Sequence, residues 1–439
     1  MESSITAQPK KIKGFVKSST LLLLAIASGL FPRLLTTLKI PSLVNFLHFA
    51  LVPFAFGSVL LKSRTKDITQ RAITQEMVFA LWLFLTIEVA SALLNDAGIV
   101  NVILSYLLWV EPFILLATII YLPMTIERFE WFKSWMNRFI FFHFFLIYVQ
   151  KFVLRLERLE GQNDNMQGIF YRSGSGHVVG ASVSCSFAIY YFLCAKDQPL
   201  WKRTLVAVLG FGNVIVSDAK QVVITLVLGF LILSLTKVQN VGKFLSYVIG
   251  IATFCIAFTW AIYNVEALSA FTGWIRPEMY GSDGPVAELK FSGIQLTIEQ
   301  FHSPLNWWLG LGPGHTVDRL GGWMLKDYSS LLSPLGATRT TIGEQTRFLM
   351  ESSWLMSSFF APFWGWAAIW CDLGTLGLAS YLYLCSIVWR RICVGDLPKF
   401  LMLTVMVHGF IFTQMQEPGY VLYVASLIGL YWHQKRFNI

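Results

Sequence analysis

Leu309-Gly310-Leu311-Gly312-Pro313-Gly314-His315 stands inside a polar interval, residues 265–363, of a chain that is otherwise a succession of apolar runs. The same interval holds His302, Arg319, Arg339, Glu344, Arg347 and Glu351, the densest grouping of ionisable residues and glycines in the sequence. Charge at that density excludes a further membrane span, because an Arg, Lys or Asp at the centre of a spanning helix costs about 2.5–3.5 kcal/mol each. The interval therefore reads as one large loop between two sets of membrane helices, and any chemistry is expected there.

The flanks set the fold class. The 439 residues are 55% hydrophobic, 15% aromatic and only 13% charged, with a mean hydropathy of +0.59. That charged share is far below the roughly 25% of soluble domains. A hydrocarbon core of about 30 Å takes about 20 apolar residues per helix, and backbone in lipid must satisfy its own hydrogen bonds, so runs of that length are helices. Such runs lie near 17–32, 42–61, 77–94, 99–122, 138–156 and 177–195, twice between Lys202 and Lys237, then near 244–263, 366–389, 400–415 and 420–433. The expected fold is all-α, a polytopic transmembrane bundle of about twelve spans with one large external loop containing a short amphipathic helix. Residues 1–263 carry spans one to nine, 264–365 the loop, and 366–439 the last three.

The net charge of +9 does not gather into a stripe of the kind that binds nucleic acid, and no nucleic-acid partner is expected. Its distribution sets topology instead. Lys62, Arg64, Lys66 and Arg71, then Arg128, Lys133 and Arg138, and later Arg390, Arg391 and Lys399 fall on alternate links, whereas Asn95-Asp96-Ala97-Gly98 and Glu417-Pro418-Gly419 carry no base. The positive-inside rule places the basic links and both termini in the cytoplasm and the large loop outside, in a plasma (inner) membrane. Lys10, Lys11, Lys13 and Lys17 precede a first run without a small-residue cleavage site, which reads as an anchor. Cys185, Cys194, Cys255, Cys371, Cys385 and Cys393 form no CxxC pair and read as packing residues, with neither a zinc site nor a disulfide framework. Glu88 and Glu111 lie within spans three and four, where a carboxylate is costly enough to face the bundle interior, in a pairing or a functional role.

Within the loop, Thr341-Ile342-Gly343-Glu344 fits a capping box opening a helix that runs to about Phe360. Glu344, Arg347 and Glu351 share one face of it, either as substrate groups or as a solvated face with a weak ion pair. The glycine-rich turn lets main-chain N–H groups approach an anion. Trp307 and Trp308 suit either the lipid interface or a sugar ring. Arg172, after Gly168-Ile169-Phe170-Tyr171, arrives on the same side before span six, as a partner of the loop's chemistry or as a snorkelling anchor. Asp218 and Lys220 read as an ordinary helix start.

About twelve helices, a large external loop near two-thirds of the chain, the Gly-x-Gly-x-Gly-like turn and the later Asp372-Leu373-Gly374-Thr375-Leu376-Gly377-Leu378 together resemble the O-antigen ligase and polymerase superfamily. Gly168 to Arg172 and Ser217-Asp218-Ala219-Lys220 are weaker echoes. The resemblance covers most of the chain from about residue 160. It implies transfer of a polyprenyl-diphosphate-linked glycan to an acceptor hydroxyl at the outer face of the inner membrane, without a cofactor or required metal, alongside other polysaccharide assembly proteins. On that reading Arg172, Arg339 and Arg347 bind the diphosphate, and His315, Glu344 and Glu351 compete to accept the hydroxyl proton. One departure is specific: where family members carry a His-Asn pair, this chain has Phe363 and Trp364. Either Glu351-Ser352-Ser353-Trp354-Leu355 occupies that place, followed by an insertion of about a dozen residues, or the chemistry differs, and an exopolysaccharide polymerase-like member is favoured over a ligase. The competing class is a flippase for lipid-linked oligosaccharide, which would also use buried carboxylates but usually has short loops and an internal repeat.

Overall fold

The computed structural model describes residues 17–62, 65–159, 163–265, 268, 272, 277–281, 284–353 and 359–438. Lys10, Lys11 and Lys13 of the expected anchor, and Trp354 and Leu355 of the expected loop helix, lie outside them. The chain is all-helical, 80% helix, with no strand among the described residues.

The principal helices are α1 (Ser18–Leu30), α2 (Leu47–Lys62), α3 (Ile68–Leu94), α4 (Ile99–Tyr121), α5 (Ile126–Tyr148), α6 (Gly176–Cys194), α7 (Leu200–Val216), α8 (Lys220–Leu235), α9 (Val241–Asn264), α10 (Pro285–Glu299), α11 (Ile342–Ser352), α12 (Gly365–Ile387), α13 (Asp396–His408) and α14 (Pro418–Phe437). Every apolar run of the sequence is thus helical. Among the described residues six segments are long and apolar enough to cross a membrane: Ser42–Lys62, Ile68–Leu94, Ile99–Tyr121, Gly176–Cys194, Val241–Asn264 and Gly365–Ile392. α1 and α8 are shorter apolar helices. α5 starts about a dozen residues earlier than its apolar run, with Thr125 capping Arg128 N–H at 3.3 Å.

α14 is the axis of the bundle. It packs on α1, α4, α6 and α13, and it is buried at every position from Pro418 to Leu430. Small residues make this possible: Gly429 lies so close to Ile119 that a Cβ would sit 2.7 Å from its Cγ2, which is how helices without a hydrophobic driving force between them approach closely. α9 is the opposite case, with Ile262 its one buried residue, and it leaves an apolar cleft of about 540 Å³ against α7 and α8, lined by Phe211, Val223, Phe230 and Phe254 among others.

The links sort to two ends. At one end Arg391 pairs with Glu76 (2.9 Å), Arg436 with Asp67 (2.7 Å) and Lys237 with Asp396 (2.5 Å), so the basic links share a face. At the other end the 95–98 turn, the segment before α2 and the 409–417 link all meet the large loop, through Asn95 to Gly310, Asn45 to Tyr328 and Gln416 to Arg319.

Two expectations about local structure are corrected. Thr341 is in the helical region and makes no side-chain cap bond; its hydroxyl accepts from Gln300 at 3.4 Å, and Glu344 turns to Arg339 instead, so the capping box does not form. Asp218 does not cap α8 either. It has φ of 53°, Ala219 occupies the cap position, and its carboxylate holds Lys220 at 2.9 Å.

Candidate functional site at the large-loop end

The loop is docked into the bundle by its main chain. Leu311 N–H donates to the Cys371 carbonyl and Gly312 N–H to the Asp372 carbonyl, both at 2.9 Å. These carbonyls are free because α12 breaks at Gly374, whose φ of 64° and ψ of −164° interrupt the helical ladder. Asp372 then closes the lock. Its fully buried carboxylate accepts the N–H groups of Gly314 (2.9 Å) and Thr316 (3.0 Å) and the Thr316 hydroxyl (2.6 Å). The glycine-rich turn does direct its backbone N–H groups at an acceptor, and that acceptor is the protein's own Asp372 carboxyl group.

Neighbouring side chains complete the dock. Asn306 donates to Asn95 Oδ1 (2.8 Å) and to the Gly310 carbonyl (2.7 Å) while accepting from Ser303 N–H (2.9 Å). Ser91 of α3 reaches the Leu309 and Asp372 carbonyls. Asn101 of α4 donates to the Pro313 and Thr338 carbonyls, each at 3.0 Å. The turn is therefore held from three sides by spanning helices.

His315 is buried and engaged at both ring nitrogens. Nδ1 donates to the Leu311 carbonyl at 2.9 Å, so Nε2 carries no proton and accepts from the Thr338 hydroxyl at 2.8 Å. Burial pushes its pKa below the ordinary histidine range and keeps the ring neutral. Glu344 and Glu351 are exposed; Glu344 lies 3.6 Å from Arg339 and Glu351 2.8 Å from Arg347. Arg347 also approaches Asp327 at 3.9 Å. Arg172 is exposed, with its guanidinium 5.5 Å from the Tyr171 ring centre. Phe363 is fully buried against Trp323 (4.7 Å between ring centres), and Trp364 donates to the Lys290 carbonyl at 3.1 Å. Among the described residues no group of three or more His, Cys, Asp or Glu side chains has the arrangement of a metal site.

Several residues that matter here were given no role in the sequence reading. Asp318, buried completely, accepts from Gly321 N–H (2.5 Å) and from Gln416 Nε2 (3.4 Å). Burial pushes its carboxyl above the ordinary range. Arg319 donates to Glu417 through its guanidinium, and its backbone N–H donates to Gln416 Oε1 at 2.8 Å; burial first, and then the neighbouring charge of Arg33, lower its proton affinity. Lys290 of α10 offers its ammonium to the carbonyls of Ala361 (2.9 Å), Phe359 (3.3 Å) and Ile411, and burial pushes it down to about 7. The signal for Asp372 was present, since it is a third carboxylate inside an apolar run, the same warning that Glu88 and Glu111 gave. α10 was legible too, as Pro285 at the first helical position followed by Leu289, Gly293 and Thr297 on one face.

Deeper in the bundle, Glu111 receives His48 Nδ1 at 2.7 Å. Glu88 is fully buried facing Ser105, and neither of its oxygens completes a well-formed hydrogen bond. No protein-family model matches the chain, and no curated protein matches its sequence.

Proposed function

We propose that this protein transfers a polyprenyl-diphosphate-linked glycan to an acceptor hydroxyl, as a polymerase-like member of the O-antigen ligase and polymerase superfamily working at the outer face of the plasma membrane. The observation that carries the reading is the docked loop. The described parts of a hundred-residue polar segment are hydrogen-bonded into one end of the helical bundle, which brings arginines and carboxylates to that end. A transporter has little use for such a structure.

The chemistry needs few parts. The acceptor oxygen attacks the anomeric carbon, the bond from that carbon to the diphosphate oxygen breaks, the hydroxyl proton passes to a base, and the leaving diphosphate keeps the electron pair. Guanidinium groups stabilise that leaving charge in fork geometry. Arg172 stands at the loop end of the bundle; Arg319, Arg339 and Arg347 would first have to exchange a carboxylate for the diphosphate. Glu344 and Glu351 are accessible proton acceptors, whereas His315 already accepts from Thr338. Its role in this scheme is to position the turn.

One observation favours a second reading. Glu88, buried and incompletely hydrogen-bonded within α3, is the kind of group that moves ions or polar substrates through a bundle, as in a flippase for lipid-linked oligosaccharide. Deleting the gene separates the two. Transfer predicts a shortened or absent surface polysaccharide with lipid-linked repeat units accumulating on the outer leaflet; flipping predicts accumulation on the inner leaflet. Unchanged polysaccharide without accumulation would remove both.

A further inference from the structure

Two adjacent indoles at the loop end of the bundle have no part in the transfer scheme. Trp307 and Trp308, in the short helix Asn306–Leu309, are each about half exposed. Both are firmly held. The Trp307 ring lies edge-on to Phe301, 5.3 Å between centres, and 5.8 Å from Trp370. Thr375 of α12 donates its hydroxyl to the Trp307 carbonyl at 2.9 Å, and a Cβ on Gly374 would come within 2.3 Å of Trp308 C. Rings on a main chain fixed in this way lose little freedom when a partner covers them.

Their depth follows from the helices on which they rest. The Tyr381 ring of α12 meets the rings of Phe84 in α3 at 6.1 Å and Trp109 in α4 at 5.6 Å, so the three share a level. Phe84 and Trp109 each stand ten positions from the loop end of their helix, Leu94 and Ile99, or about 15 Å. Half a hydrocarbon core is also about 15 Å, so a bilayer whose edge coincides with the ends of α3 and α4 has Tyr381 at its middle. Gly374 lies seven positions from Tyr381 toward the loop end, about 10 Å. Trp308, packed on Gly374, therefore sits about 5 Å inside the level at which α3 and α4 end. That is the edge of the hydrocarbon layer, where tryptophan gathers in membrane proteins.

The surroundings select lipid over sugar. A sugar on an aromatic platform also needs polar side chains at its rim, and here they are taken: Asn306 donates to Asn95 and Gly310, and Thr375 to the Trp307 carbonyl. The uncovered neighbours are apolar. Leu305 is 53% exposed, Leu376 follows Thr375 on α12 at 41%, and Leu93 stands out at 78% in the last turn of α3, on which the short helix packs. Among the described residues neither indole N–H has a hydrogen-bond partner, whereas Trp364 and Trp366 donate to the Lys290 and Met406 carbonyls. An apolar ring with a free N–H matches the glycerol and ester layer of a bilayer, which offers apolar contact on one side and acceptors on the other.

We infer that Leu305, Trp307 and Trp308 form a membrane foot, a surface that binds the phospholipid of the loop-side leaflet at the level of its ester groups. The foot fixes the height at which the docked turn meets the membrane. A bilayer is all it requires, so it serves a transferase or a flippase alike.

The test reads these two indoles by difference. The full-length protein and its Trp307→Phe/Trp308→Phe variant are compared in phosphatidylcholine nanodiscs, and subtracting their emission spectra leaves the signal of two among sixteen tryptophans. In discs of phosphatidylcholine brominated high on the acyl chain, that signal is expected to fall about twofold or more, with a smaller loss to bromine near the chain end and little to iodide in the water. Phenylalanine keeps an apolar ring at both positions, and Trp308→Phe alone, which breaks none of the ring contacts above, is read in the same way if the pair does not fold. Quenching by iodide and not by brominated lipid places the rings in water and overturns the foot. Relief of iodide quenching by maltoheptaose, without any quenching by lipid, assigns the platform to a glycan and overturns it as well.

Discussion

Gly310 and Gly374 interlock. Both have positive φ, 69° and 64°, and each lies where a Cβ would come within 2.3 Å of a main-chain carbon of the other segment, Asp372 C for Gly310 and Trp308 C for Gly374. The break in α12 and the start of the glycine-rich turn are therefore one structure, made by two stretches more than sixty positions apart.

Alanine at either glycine is expected to undock the loop. The positive φ alone costs about 1–2 kcal/mol for a residue with a Cβ, and the overlap with backbone cannot be relieved by a rotamer change. Gly310→Ala and Gly374→Ala should each lower the melting temperature in detergent and admit trypsin at Arg347. Gly57→Ala is the control: nothing lies within 4 Å of its added Cβ, and in a helix the change favours folding by up to about 1 kcal/mol. Melting temperatures of Gly310→Ala and Gly374→Ala equal to that of Gly57→Ala would contradict the interlock.

Asp318 gives the pH dependence a definite sign. Its carboxyl is raised by burial, so the folded protein holds the proton over a range of pH in which the unfolded chain has lost it. Stability from this group is full below the ordinary carboxylate pKa of about 3.9 and is lost as pH rises through the raised folded value. Asp318→Asn should therefore gain on the unaltered protein as pH rises from about 4 toward neutrality and level off above. Parallel melting curves across that range would show that Asp318 does not titrate in the folded protein.

Membrane orientation is tested by labelling. In a background without the native cysteines, Ser330→Cys, exposed on the loop, should react with an impermeant maleimide in intact spheroplasts. Thr69→Cys, exposed at the end that carries the basic links, should react only after the membrane is opened. The reverse pattern would invert the topology drawn from the positive-inside rule.

Arg347 discriminates between an ion pair and a substrate contact. Its partners Glu351 and Asp327 are both about half exposed, so Arg347→Ala should cost no more than about 1 kcal/mol of stability and leave polymer length and yield near those of the unaltered protein. A strong loss of polymer at normal protein abundance, with Arg172→Lys milder, would instead put Arg347 on the diphosphate.

Much of this protein was legible in one dimension. Apolar run length and the absence of water to satisfy backbone groups determine that the runs are helices, and the alternation of basic with base-free links matches the two ends at which the structure gathers them. The loop's status as the polar exception, and the single face shared by Arg347 and Glu351, follow from composition and helical spacing. The site was legible only in pieces. A glycine-rich turn reads as a place where N–H groups meet an anion, but whether their acceptor is a ligand or Asp372 depends on where α12 breaks, which Gly374 decides only with Gly310 packed against it. The capping box does not form because Thr341 itself takes helical dihedrals, with its hydroxyl turned to Gln300 at the end of the neighbouring helix, a partner that spacing within the helix does not reveal. Arg33 and Arg319 share no motif. The charge of one acts on the other only because the fold brings them together, since side-chain electrostatics act over a few ångströms of space while hundreds of positions separate them in sequence.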